Sequence, residues 1–222
     1  DSPVRRYVTR ELESLPPVVE GRPYFMHADP GVVKDSFTIA VAHTMPETKV
    51  VTQAKGDALE IPRAALVGHS DGASIALLAA ARHPQRVAGV LAESPHVAVE
   101  VPRCPDAVAA FMAELEQSPH LLAALERAHA GRGRQVVRRW HDRWCDPAFW
   151  DWDVSAELAQ VRCPTQVVHG ADDPYFSAAH SAMIAQRTRG ELILLPGLGH
   201  SPHTEAPEQF APLLNSFLMS LS

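Results

Sequence analysis

The stretch Ala64-Ala65-Leu66-Val67-Gly68-His69-Ser70-Asp71-Gly72-Ala73 decides the fold. An apolar, strand-like run leads into the pattern G-x-S-x-G, and an alanine-rich helical run, Ala73 to Arg82, leads out of it. Strand, tight turn and helix in that order form a nucleophile elbow, which lifts a serine hydroxyl clear of a sheet. The turn strains the backbone at Ser70, so the residues two positions away on either side must lack side chains that would collide. Gly68 and Gly72 meet that need. The first backbone N–H groups of the following helix then face whatever the serine attacks, at a helix end that favours developing negative charge.

Downstream of the elbow helix, Val87 to Ala92 reads as a short apolar strand followed by Glu93-Ser94-Pro95-His96-Val97. Strand and helix patterns resume later with a strand at Thr165 to His169 and a helix from Ser177 to Arg187. A strand at Glu191 to Leu195 and an amphipathic helix from Pro207 to Leu221 close the chain. Between these halves the pattern is helical, over Pro105 to Gln117, Pro119 to Ala130 and Gln135 to Cys145, punctuated by Pro and Gly. Upstream, Arg22 to Met26 reads as a strand ending in the turn-rich loop His27-Ala28-Asp29-Pro30-Gly31. Val32 to His43 has apolar spacing suited to a helix, and Lys49 to Thr52 is strand-like. About ten residues then separate Thr52 from Ala64, too few for the crossover helix of a parallel unit. Alternating strands and helices predict an α/β fold, a mostly parallel sheet with helices on both faces. Residues 1–101 and 162–222 form its core, and residues 102–161 an inserted helical lid.

A serine becomes a useful nucleophile only when a base takes its proton, and the base needs an orienting carboxylate. In open α/β sheets such partners sit just past the carboxyl ends of later strands. Thr165-Gln166-Val167-Val168-His169 runs into Gly170-Ala171-Asp172-Asp173-Pro174, and Leu192 to Leu195 runs into Pro196-Gly197-Leu198-Gly199-His200. Both places suit an acid and a base, in the chain order Ser, Asp, His.

Bulk properties narrow the class. A chain of 222 residues with 46% hydrophobic residues suits a single large domain with a sizeable core. A net charge of -6 argues against nucleic acid or an anionic membrane as the main partner and leaves a small-molecule substrate. Three scattered cysteines, Cys104, Cys145 and Cys163, give neither a disulfide framework nor a metal motif. No apolar run reaches membrane-spanning length. A cytoplasmic protein without metal or cofactor is expected.

From Arg22 to its end the chain resembles the α/β-hydrolase fold family. Besides the elbow, CPTQVVHGADDPYF and LLPGLGHSPHTEAPEQF look like that family's acid-bearing and histidine-bearing segments. The resemblance implies Ser70 as nucleophile, Asp173 as the acid and His200 as general base, with Asp172 the second choice of acid and His203 a weaker base than His200. It also implies an oxyanion hole made by the N–H of Asp71 and an N–H of the loop after the first strand. There the family usually carries His-Gly and this chain has His27-Ala28-Asp29-Pro30-Gly31, so Asp29 or Ala28 is left to donate, because Pro30 has no N–H.

The implied chemistry is cleavage of a small carboxylic ester or related acyl compound through an acyl-enzyme. An enol-lactonase or carbon-carbon bond hydrolase is the alternative within catalysis. A non-catalytic, receptor-like ligand-binding member of the fold is the alternative outside it. For the substrate pocket the candidates are His96 past the strand at Ala92 and the aromatic group Trp140, Trp144, Phe149 and Trp150. Val136, Val137, Trp140 and Trp144 recur at helical spacing and predict an inward apolar face. Arg132, Arg134, Arg138, Arg139 and Arg143 either solvate the outer face of the same stretch or meet a carboxylate-bearing substrate. Asp71, directly after the nucleophile, reads either as a carboxylate bonded to neighbouring backbone or, by resemblance to hydrolases of amino-acid esters with a similar Ser-Asp-Gly elbow, as a contact for a substrate ammonium.

Overall fold

The apolar run Ala64-Ala65-Leu66-Val67-Gly68-His69 forms a central strand of the sheet in a computed structural model, which describes residues 25–29, 38–42 and 64–221. Strands β1 (Phe25–Asp29), β2 (Thr38–Ala42), β3 (Ala64–His69), β4 (Val87–Glu93), β5 (Thr165–Gly170) and β6 (Glu191–Leu195) lie in the order β2-β1-β3-β4-β5-β6. Every pairing is parallel except β1 with β2.

The strand pleat sends successive side chains to opposite faces, and the apolar residues are divided accordingly. Leu66, Val90, Ala92 and Val167 pack on one face with Ala73, Ala76, Leu77 and Ala80 of helix α1 (Asp71–Arg82) and with Ile184 of a later helix. Val67, Leu91, Val168 and Leu195 meet Phe210 and Phe217 on the other face. Helices therefore cover both faces, as the continuous apolar strands require.

Between β4 and β5 the chain forms α2 (Arg103–Gln117), α3 (Pro119–Ala128) and α4 (Gly133–Trp144). Ser118 caps α3 by accepting from the Leu121 N–H at 3.3 Å, with Pro119 at the first helical position. A 3-10 segment, Ser155–Gln160, leads back, and its Leu158 joins Val161 in the main core. Beyond β5 come α5 (Ala178–Thr188), the one-turn helix α6 (Pro202–Glu205) and α7 (Pro207–Met219). Among the described residues no helix is long and apolar enough to cross a membrane.

Two expectations for the front of the chain are corrected. Residues 38–42, expected in a helix over Val32 to His43, form strand β2, because Ile39 and Val41 are β-branched at alternate positions and the backbone finds a partner in β1. The first strand lies later than Arg22 to Met26, so His27, Ala28 and Asp29 belong to β1 and not to a loop. The entry segment 1–21, the strand expected at Lys49 to Thr52 and the short connection from Thr52 to Ala64 lie outside the described residues.

Candidate active site

Ser70 sits between β3 and α1 with φ 54° and ψ -124°, a left-handed backbone that an L-residue adopts only when its surroundings enforce it. The enforcement is local. The Ser70 N–H donates to the Glu93 carbonyl at 2.9 Å, and the Ser70 carbonyl accepts from the N–H groups of Ala73 and Ser74 at 2.9 and 3.1 Å. A Cβ at Gly68 would run into the Gly72 carbonyl and lie 2.6 Å from the Ala73 nitrogen, so the turn closes only on glycine there.

The carboxyl ends of β5 and β6 bring the partners. Asp173 is fully buried, and its Oδ1 accepts from the Tyr175 N–H at 2.7 Å. Its Oδ2 accepts from His200 Nδ1 at 2.8 Å. That bond leaves His200 Nε2 as the acceptor for Ser70 Oγ, 2.9 Å away. Burial pushes the Asp173 carboxyl up, but the His200 hydrogen bond and charge, with the Tyr175 N–H, outweigh it and hold the group below the usual carboxylate range. Gly170 permits this approach, since a Cβ on it would run into the carbonyls of Leu198 and Gly199.

The loop carrying His200 is pinned from three sides. The Glu205 carboxylate accepts from the Gly199 N–H at 2.5 Å and the Ser201 N–H at 2.8 Å, on either side of His200. His69 donates its Nε2–H to the His200 carbonyl at 2.9 Å. Burial first, then the nearby His200, lowers the His69 pKa to about 4, so that His69 stays a neutral donor. Behind it the buried Glu93 carboxylate accepts from the His203 N–H at 2.7 Å and from its Nδ1–H at 2.9 Å. Burial raises the Glu93 carboxyl above its ordinary value despite those bonds.

His203 therefore pairs with Glu93 and not with the serine. Asp172 has an exposed side chain and contributes its backbone N–H to the Leu198 carbonyl at 2.9 Å. The Asp71 N–H is the first of α1 and has no acceptor within the helix. Ala28 and Asp29 stand at the carboxyl end of β1, registered against Ile39 and Thr38 of β2. Strand pairing replaces the free loop expected there.

A cavity of about 400 Å³ opens beside Ser70. His69, Ser70, Asp71, His96 and His200 line one part of it, and Phe111, Leu125, Val136, Val137, Trp140 and Trp144 of the helical block line another. Tyr175 and Phe176, which follow the acid, and Cys104 complete the wall. Burial pushes the Cys104 thiol and the Tyr175 phenol up to about 12.

Of the expected pocket residues, His96, Trp140 and Trp144 line the cavity. Phe149 and Trp150 do not: Phe149 stacks on Trp152 with ring centroids 5.6 Å apart, and the Trp150 Nε1–H donates to the Trp144 carbonyl at 3.1 Å. Phe149 also packs edge-on to Trp144, with ring centroids 5.3 Å apart. Arg132, Arg134, Arg138, Arg139 and Arg143 are all exposed and none lines the cavity.

The sequence reading did not find Asp71 paired with His96, whose Nε2 lies 2.6 Å from Asp71 Oδ1. The two residues follow strands β3 and β4, and only the adjacency of those strands in the sheet brings them together. Among the described residues no cluster of three or more His, Cys, Asp or Glu side chains is arranged to hold a metal ion.

With this geometry in hand, comparison with known proteins is specific. The chain is 31% identical over 186 residues to a 2-hydroxymuconate semialdehyde hydrolase of Pseudomonas sp. (strain CF600), covering 73% of this chain and 64% of that protein. It is 26% identical over 170 residues to the serine hydrolase BPHL of Mus musculus, covering 72% of this chain and 56% of that protein. The chain thus spans between about half and two thirds of the length of these relatives. Its fold is similar to that of Est816, described as an N-acyl homoserine lactone degrading enzyme, with a TM-score of 0.59 at 24% identity over 90% of this chain and 94% of that one. The alpha/beta hydrolase family model matches residues 21–213, and the chain belongs to that family.

Proposed function

We propose that the chain is a serine hydrolase that cleaves a small carboxylic ester or related acyl compound through an acyl-enzyme. The observation that carries this reading is the unbroken line from Ser70 Oγ to His200 Nε2 at 2.9 Å and from His200 Nδ1 to Asp173 Oδ2 at 2.8 Å. In this reading His200 takes the Ser70 proton as Oγ attacks the acyl carbon. The resulting imidazolium is stabilised by ionised Asp173, which also fixes the tautomer. The Asp71 N–H and a donor at the carboxyl end of β1, where Ala28 and Asp29 lie, receive the oxyanion. The tetrahedral intermediate collapses as His200 gives its proton to the leaving alkoxide. A water deprotonated by His200 then attacks the acyl-enzyme, and the acid is released with Ser70 reprotonated.

The helices of residues 102–161 serve as the lid in this scheme, since Phe111, Leu125, Val136, Val137, Trp140 and Trp144 supply the apolar wall over the serine. The same residues would serve an enol-lactonase or a carbon-carbon hydrolase, a reading favoured by the relative named 2-hydroxymuconate semialdehyde hydrolase. A receptor-like role fits less well, because a binding pocket needs neither the ionised Asp173 nor the left-handed backbone at Ser70.

The test is hydrolysis of p-nitrophenyl butyrate by the protein and by Ser70→Ala, measured across pH. Activity that rises with deprotonation of a histidine and falls at least about a thousandfold in Ser70→Ala is expected. Equal rates in the two proteins would contradict the reading.

A further inference from the structure

Asp71 is the one carboxylate that lines the cavity among the described residues, and no arginine or lysine there opposes it. Its side chain retains 39% of its exposure, while His96, which it meets, retains 2%. His96 is packed flat against Phe176, with centroids 4.5 Å apart and planes 8° from parallel, and edge-on to Trp144 at 5.0 Å. Its Nδ1 is buried without a hydrogen-bond partner. With nothing at Nδ1 to bond, the ring makes its hydrogen bond through Nε2, which donates to Asp71. Burial pushes the Asp71 carboxyl up, but that hydrogen bond outweighs it and holds the group below the usual carboxylate range. One oxygen is held by His96, and the carboxylate is presented to the cavity beside Ser70.

The surroundings amplify that charge. The remaining wall is largely aromatic and aliphatic, and Cys104 and Tyr175 stay un-ionised near neutral pH. In such a medium two like charges repel far more strongly than in water. We propose that Asp71 makes this cavity reject carboxylates, so that its substrates are acyl compounds whose non-reacting part bears no negative charge and the acid product is expelled as it forms. This rests on the serine-hydrolase reading and deepens it by naming the substrate class. It runs against the carboxylate-bearing substrates that an arginine-rich lid would have suggested, because those arginines face solvent, and against a carbon-carbon hydrolase acting on a muconate-like carboxylate.

The test compares two nearly isosteric esters, p-nitrophenyl valerate and mono-p-nitrophenyl glutarate, which differ by a terminal methyl against a carboxylate. Each is measured with the wild-type protein and with Asp71→Asn, in which the amide oxygen still accepts from His96. The expected result is a preference for the valerate of about a hundredfold in kcat/KM, reduced about tenfold in Asp71→Asn. The ratio within one protein sample does not depend on how much of it is folded. In parallel, the fluorescence of Trp140 and Trp144 in the cavity wall reports binding of valeramide and of valerate without any turnover. The amide is expected to bind the wild type more tightly than the anion, with the gap narrowing in Asp71→Asn.

Equal use of the two esters by the wild type, or an ester ratio and a binding gap that Asp71→Asn leaves unchanged, would overturn the inference. If neither ester is cleaved faster than by Ser70→Ala, the hydrolase reading fails instead. The amide-versus-anion binding gap then decides the charge inference alone.

Discussion

At the scale of single residues, the grouping of Ser70, Asp173 and His200 was legible because each stands just past a run that reads as a strand, in a chain order that the proposed chemistry needs. Their roles separate in experiment. Asp173→Asn keeps the size of the side chain while removing the charge that supports the imidazolium in the proposed mechanism. We expect kcat to fall by about a thousandfold or more with the thermal midpoint little changed relative to that loss. The pairing of Asp71 with His96 was not legible, since it joins residues 25 apart through the adjacency of β3 and β4, and the residue type alone fits a backbone cap equally well.

His180 offers a prediction of another kind. Its Nε2 accepts the Val97 N–H at 3.2 Å, and burial lowers its pKa to about 4 from an ordinary 6.5. The folded value lies below the unfolded one, so the unfolded chain takes up the proton first as pH falls. The contribution to stability is complete above about 6.5 and is lost between there and about 4. The thermal midpoint should fall steadily through that window. His180→Gln should show a shallower slope, and an unchanged slope would rule out a contribution from His180.

At the scale of elements, the one-turn helix α6 does more than end a loop. Its Glu205 accepts the N–H groups of Gly199 and Ser201, and so holds the backbone on both sides of His200 while remaining outside the cavity. Glu205→Ala should lower kcat about tenfold with little change in KM, because the proposed base is misplaced and the cavity wall is untouched. A change confined to KM would contradict that assignment.

The elements themselves were read well where periodicity was long or the flanks were sharp. The helices expected at Pro105 to Gln117 and Gln135 to Cys145 appear as Arg103–Gln117 and Gly133–Trp144. The misreading at Val32 to His43 has a physical origin. Five residues of Thr-Ile-Ala-Val-Ala satisfy either period, and the decision belongs to β1, whose backbone pairs with them. Phe149 illustrates the same limit, since an aromatic residue close in sequence to a pocket wall serves the packing behind it.

For the whole molecule, parallel strands and flanking helices were legible from their alternation, and the division of Val90 from Leu91 and Val167 from Val168 between two cores follows from the pleat. The position of the cavity follows as well. The carboxyl ends of β3, β5 and β6 deliver Ser70, Asp173 and His200 to one edge of the sheet, and side chains of the helices between β4 and β5 line the cavity there. What alternation does not disclose is the charge inside the cavity, which depends on the Asp71 carboxylate at the elbow and on the arginines that the helical block turns to solvent.

The central claim is that this assembled edge activates Ser70 in particular among the serines of the chain. The most direct measurement is labelling of the folded protein by a fluorophosphonate, read by intact mass and by the mass of the peptide containing Ser70. The account predicts a single adduct located on Ser70, absent from Ser70→Ala and strongly slowed in His200→Ala. Labelling that persists in Ser70→Ala, or a wild-type protein that takes up no label, would contradict it.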